Sequence, residues 1–207
     1  MRPHTKETLH TLTPELALEI LKDGNERFVN NIKAHRDLLE QVNVTSSGQF
    51  PFAAILSCID SRTSAELIFD QGLGDIFSIR IAGNILNDDI LGSMEFACKI
   101  AGSKLIVVLG HTKCGAIEYA CNDIVLGNIT KLLSKIKPAI ELEKETKTER
   151  NGNNKLFMNN VTTNNVNLTV KKIKEQSSLL ADMEKSGEIK IIGGLYDLDT
   201  GLVTFFD

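Results

Sequence analysis

Three residues that bind soft metal ions stand in two short motifs, Cys58-Ile59-Asp60-Ser61-Arg62 and His111-Thr112-Lys113-Cys114. Two thiolates and one imidazole make a ligand set that suits zinc. A catalytic zinc site uses three protein ligands and keeps its fourth position open, whereas a structural site is usually closed by four. The two motifs therefore predict a catalytic zinc centre formed by Cys58, His111 and Cys114.

Asp60 and Arg62 form an acid-base pair beside the first cysteine. A guanidinium can hold a carboxylate through two hydrogen bonds, and the carboxylate then stays ionised. Asp60 could thus orient a water on the metal, or it could bind the metal itself as a fourth ligand. The simpler interpretation, that Asp60, Ser61 and Arg62 only cap the next helix, suits Ser61 equally well but does not explain the pair.

Each ligand taken alone has an ordinary structural explanation, and other enzymes combine cysteine with histidine. A single buried cysteine is usually a small hydrophobic residue. Zinc deaminases also use one histidine and two cysteines, but in the order H-x-E followed by P-C-x-x-C, which this chain lacks. A Cys-His hydrolase needs one thiol and leaves the second unexplained. The metal site remains the favoured interpretation.

The elements between the motifs indicate how residues so far apart could meet. Apolar segments at 52–57, 76–79 and 105–109 predict buried strands, and 64–70 and 88–101 predict helices between them. Alternating strands and helices favour a parallel sheet. Cys58 follows the first strand and His111 the third, so both should reach the same sheet edge if those strands are neighbours.

The rest of the chain completes one α/β domain. Thr13-Pro14-Glu15 starts a helix, and further helices are predicted at 114–123, 128–144 and 161–182. The polar segment 145–160 reads as a mobile loop. A strand at 188–193 is followed by a turn at 199–201 and an edge strand at 202–206. We predict a single domain over 1–207, with an N-terminal helical arm at about 1–45 and a core at about 46–207.

Composition restricts the class of protein. The formal net charge of -4 argues against a nucleic-acid partner. No apolar stretch predicts a membrane span or a signal peptide, so we expect no membrane partner and a cytoplasmic location. In a reducing compartment cysteines bind metals or react more often than they form disulfides. Cys98 and Cys121 are nevertheless expected to be buried hydrophobic residues.

At these motifs the sequence resembles the β-class carbonic anhydrases, whose hallmarks are C-x-D-S-R and H-x-x-C. The resemblance extends over nearly the whole chain, through segments at 14–28, 80–84, 110–116, 165–166 and 196–197. It implies a zinc enzyme that interconverts carbon dioxide and bicarbonate by attack of zinc-bound hydroxide. It also implies a homodimer or homotetramer with sites near the subunit interface.

The resemblance assigns roles to individual residues. Cys58, His111 and Cys114 would be the zinc ligands, and Asp60 with Arg62 the orienting pair. Residues of the substrate pocket would be Gln49, Phe77, Phe96 and Gly115. For both phenylalanines core packing is the simpler explanation, although packing and pocket lining are compatible. Gln49 or Phe96 could act on the zinc of a partner subunit.

One departure from the family pattern concerns Asp60. Bicarbonate-regulated bacterial members have a tryptophan three residues before the first zinc cysteine, where this chain has Ile55. Arg80 and Tyr196 match the other two residues of that regulatory anion site. Without the tryptophan we expect Asp60 to pair with Arg62 at neutral pH and to leave the fourth zinc position open.

Two rival functions use the same ligands. Relatives hydrolyse carbon disulfide or carbonyl sulfide with this zinc set, and access to the pocket would decide between those substrates and carbon dioxide. A non-catalytic zinc domain would instead close the site permanently with Asp60. The Asp60–Arg62 pair and Gln49 argue against such a domain, because a closed structural site needs neither.

Overall fold

The computed structural model describes residues 3–206; residues 1, 2 and 207 of the predicted domain lie outside that range. Its helices are α1 Lys6–His10, α2 Pro14–Val29, α3 Leu38–Thr45, α4 Ala65–Ile68, α5 Asp88–Glu95, α6 Gly115–Cys121, α7 Gly127–Ser134, α8 Lys137–Leu142, α9 Lys155–Gln176 and α10 Ser178–Lys185. Its strands are β1 Ala53–Ser57, β2 Ile76–Arg80, β3 Leu105–His111, β4 Lys190–Tyr196 and β5 Val203–Phe205.

The five strands form one sheet in the order β2-β1-β3-β4-β5. The first three pairings are parallel, and β5 pairs antiparallel with β4 as an edge strand. This confirms the predicted α/β domain with a mostly parallel sheet and a C-terminal edge hairpin. It also confirms that the first and third strands are neighbours, with Ser57 opposite Leu109.

Two apolar layers cover the sheet. Ile55, Val107 and Leu109 pack with Leu21 of α2 and Phe69 on one face. Leu56, Val108 and residues of α5, α9 and α10 form the layer on the other face. β1 and β3 are buried over their full lengths, as expected of strands covered on both sides. No helix within residues 3–206 is long and apolar enough to cross a membrane.

Several predicted helices have different limits in the structure. The predicted helix at 128–144 is two helices, α7 and α8, because Pro138 lies in the first turn of α8 and cannot continue a preceding helix. The predicted helix at 88–101 has its expected extent, but its last turn, Phe96–Ile100, widens to a π-helix. α4 and α6 are shorter than the predicted 64–70 and 114–123.

The prediction of a polar loop at 145–160 is wrong for residues 155–160, whereas residues 145–154 form no helix or strand, as expected. α9 begins at Lys155, because the Asn154 side chain accepts a hydrogen bond from the Phe157 amide and caps the helix. The residues before it surround the buried carboxylate of Glu143, which accepts hydrogen bonds from Thr146, Arg150 and Asn160. A polar segment is thus ordered around one charged group.

A second buried carboxylate, Asp70, ties α2 and the segment before α3 to the turn that follows α4. Arg27 of α2 and Arg36 each approach it to 2.6 Å, and the Ala34 amide donates to it at 3.1 Å. Burial by itself raises the pKa of Asp70, but the hydrogen bonds from Arg27, Ala34 and Arg36 outweigh that effect and hold the pKa below its usual value. The long segment between α2 and α3 is fixed through this one side chain.

We expect Asp70→Asn to destabilise the protein by about 2–3 kcal/mol, because two arginines would lose a buried counter-ion. Urea denaturation checks this, with Asp123→Asn as the matched control, since Asp123 forms an exposed ion pair with Lys137. Equal losses of stability in the two variants would contradict the role of Asp70.

Glu143 predicts a specific dependence of stability on acid. Burial alone would raise its pKa, but hydrogen bonds, first from the Thr146 amide, lower the pKa to about 2. A carboxyl group with a lowered folded pKa stabilises the fold above its unfolded pKa of about 4.3 and loses that contribution as pH falls towards the folded value. Glu143→Gln should therefore flatten the loss of stability between these two pH values, measured as Tm. An unchanged slope would contradict this prediction.

Candidate metal centre

The two predicted motifs meet where the chain changes direction in the sheet. From β1 the chain crosses to β2 on one side and later returns to β3 on the other, which makes the β1–β3 boundary a topological switch point. Cys58 directly follows β1, and His111 is the last residue of β3, two residues beyond the predicted strand end. Cys114 precedes α6. Both motifs therefore lie at the carboxyl edge of the sheet.

The geometry of Cys58, His111 and Cys114 suits a metal ion. Their ligand atoms lie within 4.8 Å of one another, and all three residues are buried. The two Sγ atoms are 4.0 Å apart. Zinc–sulfur bonds of about 2.3 Å at a tetrahedral angle place two sulfurs about 3.8 Å apart, so only a small adjustment is needed.

The imidazole of His111 is prepared for a metal by its neighbour. Its Nδ1 lies 2.9 Å from the carbonyl oxygen of Thr112, which can only accept, so Nδ1 is the donor. In the neutral imidazole Nε2 is then the acceptor, and it is buried with no hydrogen-bond partner among the described residues. An unpartnered buried acceptor beside two thiols is what a metal ligand looks like before the metal binds.

The two thiols differ in their electrostatic environment. Hydrogen bonding from Cys114 is the main factor that lowers the pKa of Cys58, and the Gly83 amide adds a hydrogen bond to its Sγ at 3.3 Å. The same interaction, together with burial and the charge on Cys58, raises the pKa of Cys114. The site accommodates one negative charge readily and resists a second, which a divalent cation would neutralise.

Gly83 is held against Cys58 by a residue from outside the motifs. The side chain of Asn165 in α9 donates to the carbonyl oxygen of Gly83 at 2.9 Å. Gly83 has φ of 67°, and a Cβ there would lie 2.9 Å from Ile136. A residue with a side chain would be both strained and crowded at this position. Sequence reasoning matched Asn165 to the family but missed this contact, because no local pattern signals it.

Asp60 and Arg62 form the bidentate pair that the sequence suggests. Arg62 donates from Nε to Oδ1 at 2.9 Å and from Nη2 to Oδ2 at 2.7 Å, and its amide also donates to Oδ1. The hydrogen bonds from Arg62 lower the pKa of Asp60 to about 2. Oδ2 lies 3.9 Å from Nε2 of His111, too far for a direct hydrogen bond. The ionised carboxylate thus lies beside the ligand cluster without joining it.

The residues predicted to line a substrate pocket do not form one compact group as the metal ligands do. Phe77 and Phe96 contact each other edge to face at 6.5 Å, and Phe96 is half exposed. Both line an open surface cleft that also includes Arg80. Gly115 is exposed in the first turn of α6.

Gln49 does not approach the ligand cluster within one chain. It is exposed and precedes β1, whereas Cys58 follows that strand. Five residues of strand separate the two edges by about 17 Å. Gln49 therefore lies far from the ligand cluster of its own chain.

The other two cysteines confirm the prediction that they are buried hydrophobic residues. Burial raises the pKa of Cys98 to about 12 and that of Cys121 to about 11. Neither belongs to the ligand cluster. They provide natural controls for the two cysteines that do.

Comparison with known proteins agrees with the fold and the site. Residues 53–203 match the carbonic anhydrase family model. The chain is 36% identical over 200 residues to carbonic anhydrase 2 of Mycobacterium tuberculosis, covering 94% of this chain and 93% of the relative. The fold and the site together define a β-class carbonic anhydrase, and the chain belongs to that family of enzymes.

Solved structures support the same fold. The β-carbonic anhydrase CafA of Aspergillus fumigatus matches with a TM-score of 0.70 at 24% identity, covering 93% of this chain and 90% of the other. A tetrameric β-carbonic anhydrase of Sordaria macrospora matches with a TM-score of 0.70 at 19% identity, covering 97% and 98%. Carbonic anhydrases of this class depend on zinc, and the Cys58–His111–Cys114 cluster fits such a metal site.

The ligand assignment predicts the metal content of variants. Cys58→Ser and His111→Ala should each lose most of the bound zinc, because two protein ligands hold the ion far more weakly than three. Elemental analysis of purified protein checks this. Cys98→Ala is the matched control and should keep one zinc per chain; retention of stoichiometric zinc in either ligand variant would show that the assignment is wrong.

Proposed function

We propose that the chain catalyses the reversible hydration of carbon dioxide, with Cys58, His111 and Cys114 holding zinc and with Asp60 and Arg62 orienting the attacking water. One observation carries this proposal. The ionised Asp60 carboxylate faces the ligand cluster, 3.9 Å from His111, while both of its oxygens are held by Arg62. A purely structural site has no use for a carboxylate held beside the metal.

Zinc would supply the Lewis acid that lowers the pKa of a water to near 7 and so makes it nucleophilic at neutral pH. Asp60 then acts as a hydrogen-bond acceptor for that water. With a pKa of about 2 it is too weak a base to remove a proton at neutral pH, but it remains ionised throughout the working range. Its contribution is therefore orientation.

Arg62 fixes the direction in which the Asp60 carboxylate can accept a further hydrogen bond. Its guanidinium and its own amide together make three hydrogen bonds to the carboxylate. Asp60 is thus restrained from turning to become a fourth metal ligand. The pairing supports the expectation, based on Ile55, that the fourth position stays open.

Carbon dioxide is small and apolar, and we assign its binding to Phe77, Phe96, Gly115 and Gln49. Phe77 and Phe96 supply apolar surface, while the Gln49 amide could donate to a substrate oxygen. Because Gln49 lies at the opposite edge of the sheet, a complete pocket requires a homodimer or a homotetramer. The tetrameric Sordaria macrospora protein of the same fold supports this inference.

The four cysteines are all free thiols. Two of them form the proposed metal site, and oxidation would remove both ligands. This favours a reducing compartment, and we propose the cytoplasm.

The test is stopped-flow carbon dioxide hydration by protein of known zinc content. Zinc-loaded wild type should exceed the buffer rate near pH 8, and Arg62→Ala should lower kcat by about 10- to 100-fold, because Asp60 loses its orientation. The variant should keep its zinc, since Arg62 is not a ligand. A zinc-loaded wild type no faster than buffer would sink the proposal in favour of a non-catalytic zinc domain.

A further inference from the structure

Two main-chain carbonyl groups in the first metal loop receive an unusual number of side-chain donors. The carbonyl oxygen of Asp60 accepts from Nη2 of Arg80 at 2.5 Å and from Oγ1 of Thr63 at 2.9 Å. The carbonyl oxygen of Cys58 accepts from Nε of Arg80 at 3.1 Å and shares the single hydroxyl proton of Thr63, whose Oγ1 lies 3.3 Å away. The same two side chains thus bind the same two carbonyl groups.

The fold brings the two donors to the loop from different directions. Arg80 is the last residue of β2 and pairs in register with Ser57, the residue before Cys58. Thr63 lies in the turn that follows Asp60, and its side chain is 1% exposed. Its amide also donates to the Asp60 carbonyl oxygen at 3.0 Å, which gives that oxygen three donors.

These contacts fix the main chain from which two functional side chains extend. Cys58 carries a candidate ligand and Asp60 carries the candidate orienting carboxylate. Arg62 restrains only the carboxylate end of Asp60, whereas Arg80 and Thr63 restrain its main chain. A side chain that holds the residues carrying metal ligands fixes the orientation of those ligands, and its loss typically lowers metal affinity or activity by about 10- to 100-fold.

We propose that Thr63 and Arg80 are positioning residues for the metal centre, which hold the Cys58–Asp60 main chain so that the Asp60 carboxylate stays on Arg62 and beside the cluster. This inference rests on the proposed function for the roles of Cys58 and Asp60. It gives Arg80 a different use from the regulatory anion site that the family resemblance suggests, because its Nε and Nη2 already bind the chain's own carbonyl groups.

Thr63→Val tests the hydroxyl, because valine keeps the shape of threonine and removes the donor. We expect kcat for carbon dioxide hydration to fall about five- to tenfold, the value of one buried hydrogen bond, with little change in KM. Thr63→Ser restores the hydroxyl and should recover most of the rate. Arg80→Gln cannot reach both carbonyl groups as a fork and should lower kcat in the same direction.

A matched control separates positioning from general loss of stability. Ser103 is also 1% exposed, and its hydroxyl donates to the carbonyl oxygen of Pro51 at 2.8 Å. It lies at the opposite edge of the sheet, before β3. Ser103→Ala should lower Tm like Thr63→Val but leave kcat unchanged.

Hydrogen exchange gives a readout that does not depend on activity or on zinc. In metal-free protein, amides of residues 58–63 should exchange faster in Thr63→Val and Arg80→Gln than in wild type or Thr63→Ser. Zinc affinity, measured by competition with a chelator, should fall about tenfold or more in the same two variants.

The outcomes distinguish this proposal from the proposed function. If wild type hydrates carbon dioxide and Thr63→Val equals Thr63→Ser in kcat, zinc affinity and exchange, the positioning role is overturned. If wild type is inactive while exchange at 58–63 still rises in Thr63→Val, the holding contact stands and the proposed function fails. A fall in kcat equal to that of Ser103→Ala would also overturn the positioning role.

Discussion

The parallel pairing of β1 with β3 is the constraint on which the metal centre depends. It places the carboxyl ends of two buried strands side by side, and those ends deliver Cys58 and His111 to one crevice. Both strands are buried over their full lengths, and they pair in register from Ala53 opposite Leu105 to Ser57 opposite Leu109. The precision of the ligand cluster therefore comes from the packing of the sheet, and the metal-binding motifs need only supply the correct atoms.

Three carboxylates around this sheet are each held by several hydrogen-bond donors. Asp70 fixes the N-terminal helices, Glu143 orders the segment before α9, and Asp60 lies beside the cluster. In each case an arginine is among the donors to the carboxylate, and other donors complete the set. Such groups cost much when unpaired, so they specify one arrangement of the chain around them. The same device thus organises both the scaffold and the site.

The sequence was sufficient for features determined by local pattern. Apolar runs predict β1, β2 and β3, and the residue types in the two motifs predict the ligand cluster. Features that depend on distant partners were not predictable. The polar composition of 145–160 predicts a mobile loop, because Glu143 can order the chain only when Arg150 and Asn160 surround its carboxylate. The start of α9 does have a local signal in Asn154, an N-cap residue before an apolar stretch.

The main chain beside Cys58 shows why motif residues alone do not define this site. The Asp60 carboxylate accepts hydrogen bonds from Arg62, and its main-chain carbonyl oxygen accepts from Arg80 and Thr63. Three side chains thus determine the position of one residue. Of these three side chains, only that of Arg62 belongs to the sequence motif. Arg80 reaches the loop because β2 pairs with β1, and Thr63 because the turn folds back on itself. A chain with the same motif but a different donor at either position would hold the same ligands on a less constrained main chain, and both the orientation of Asp60 and the affinity for the metal would suffer.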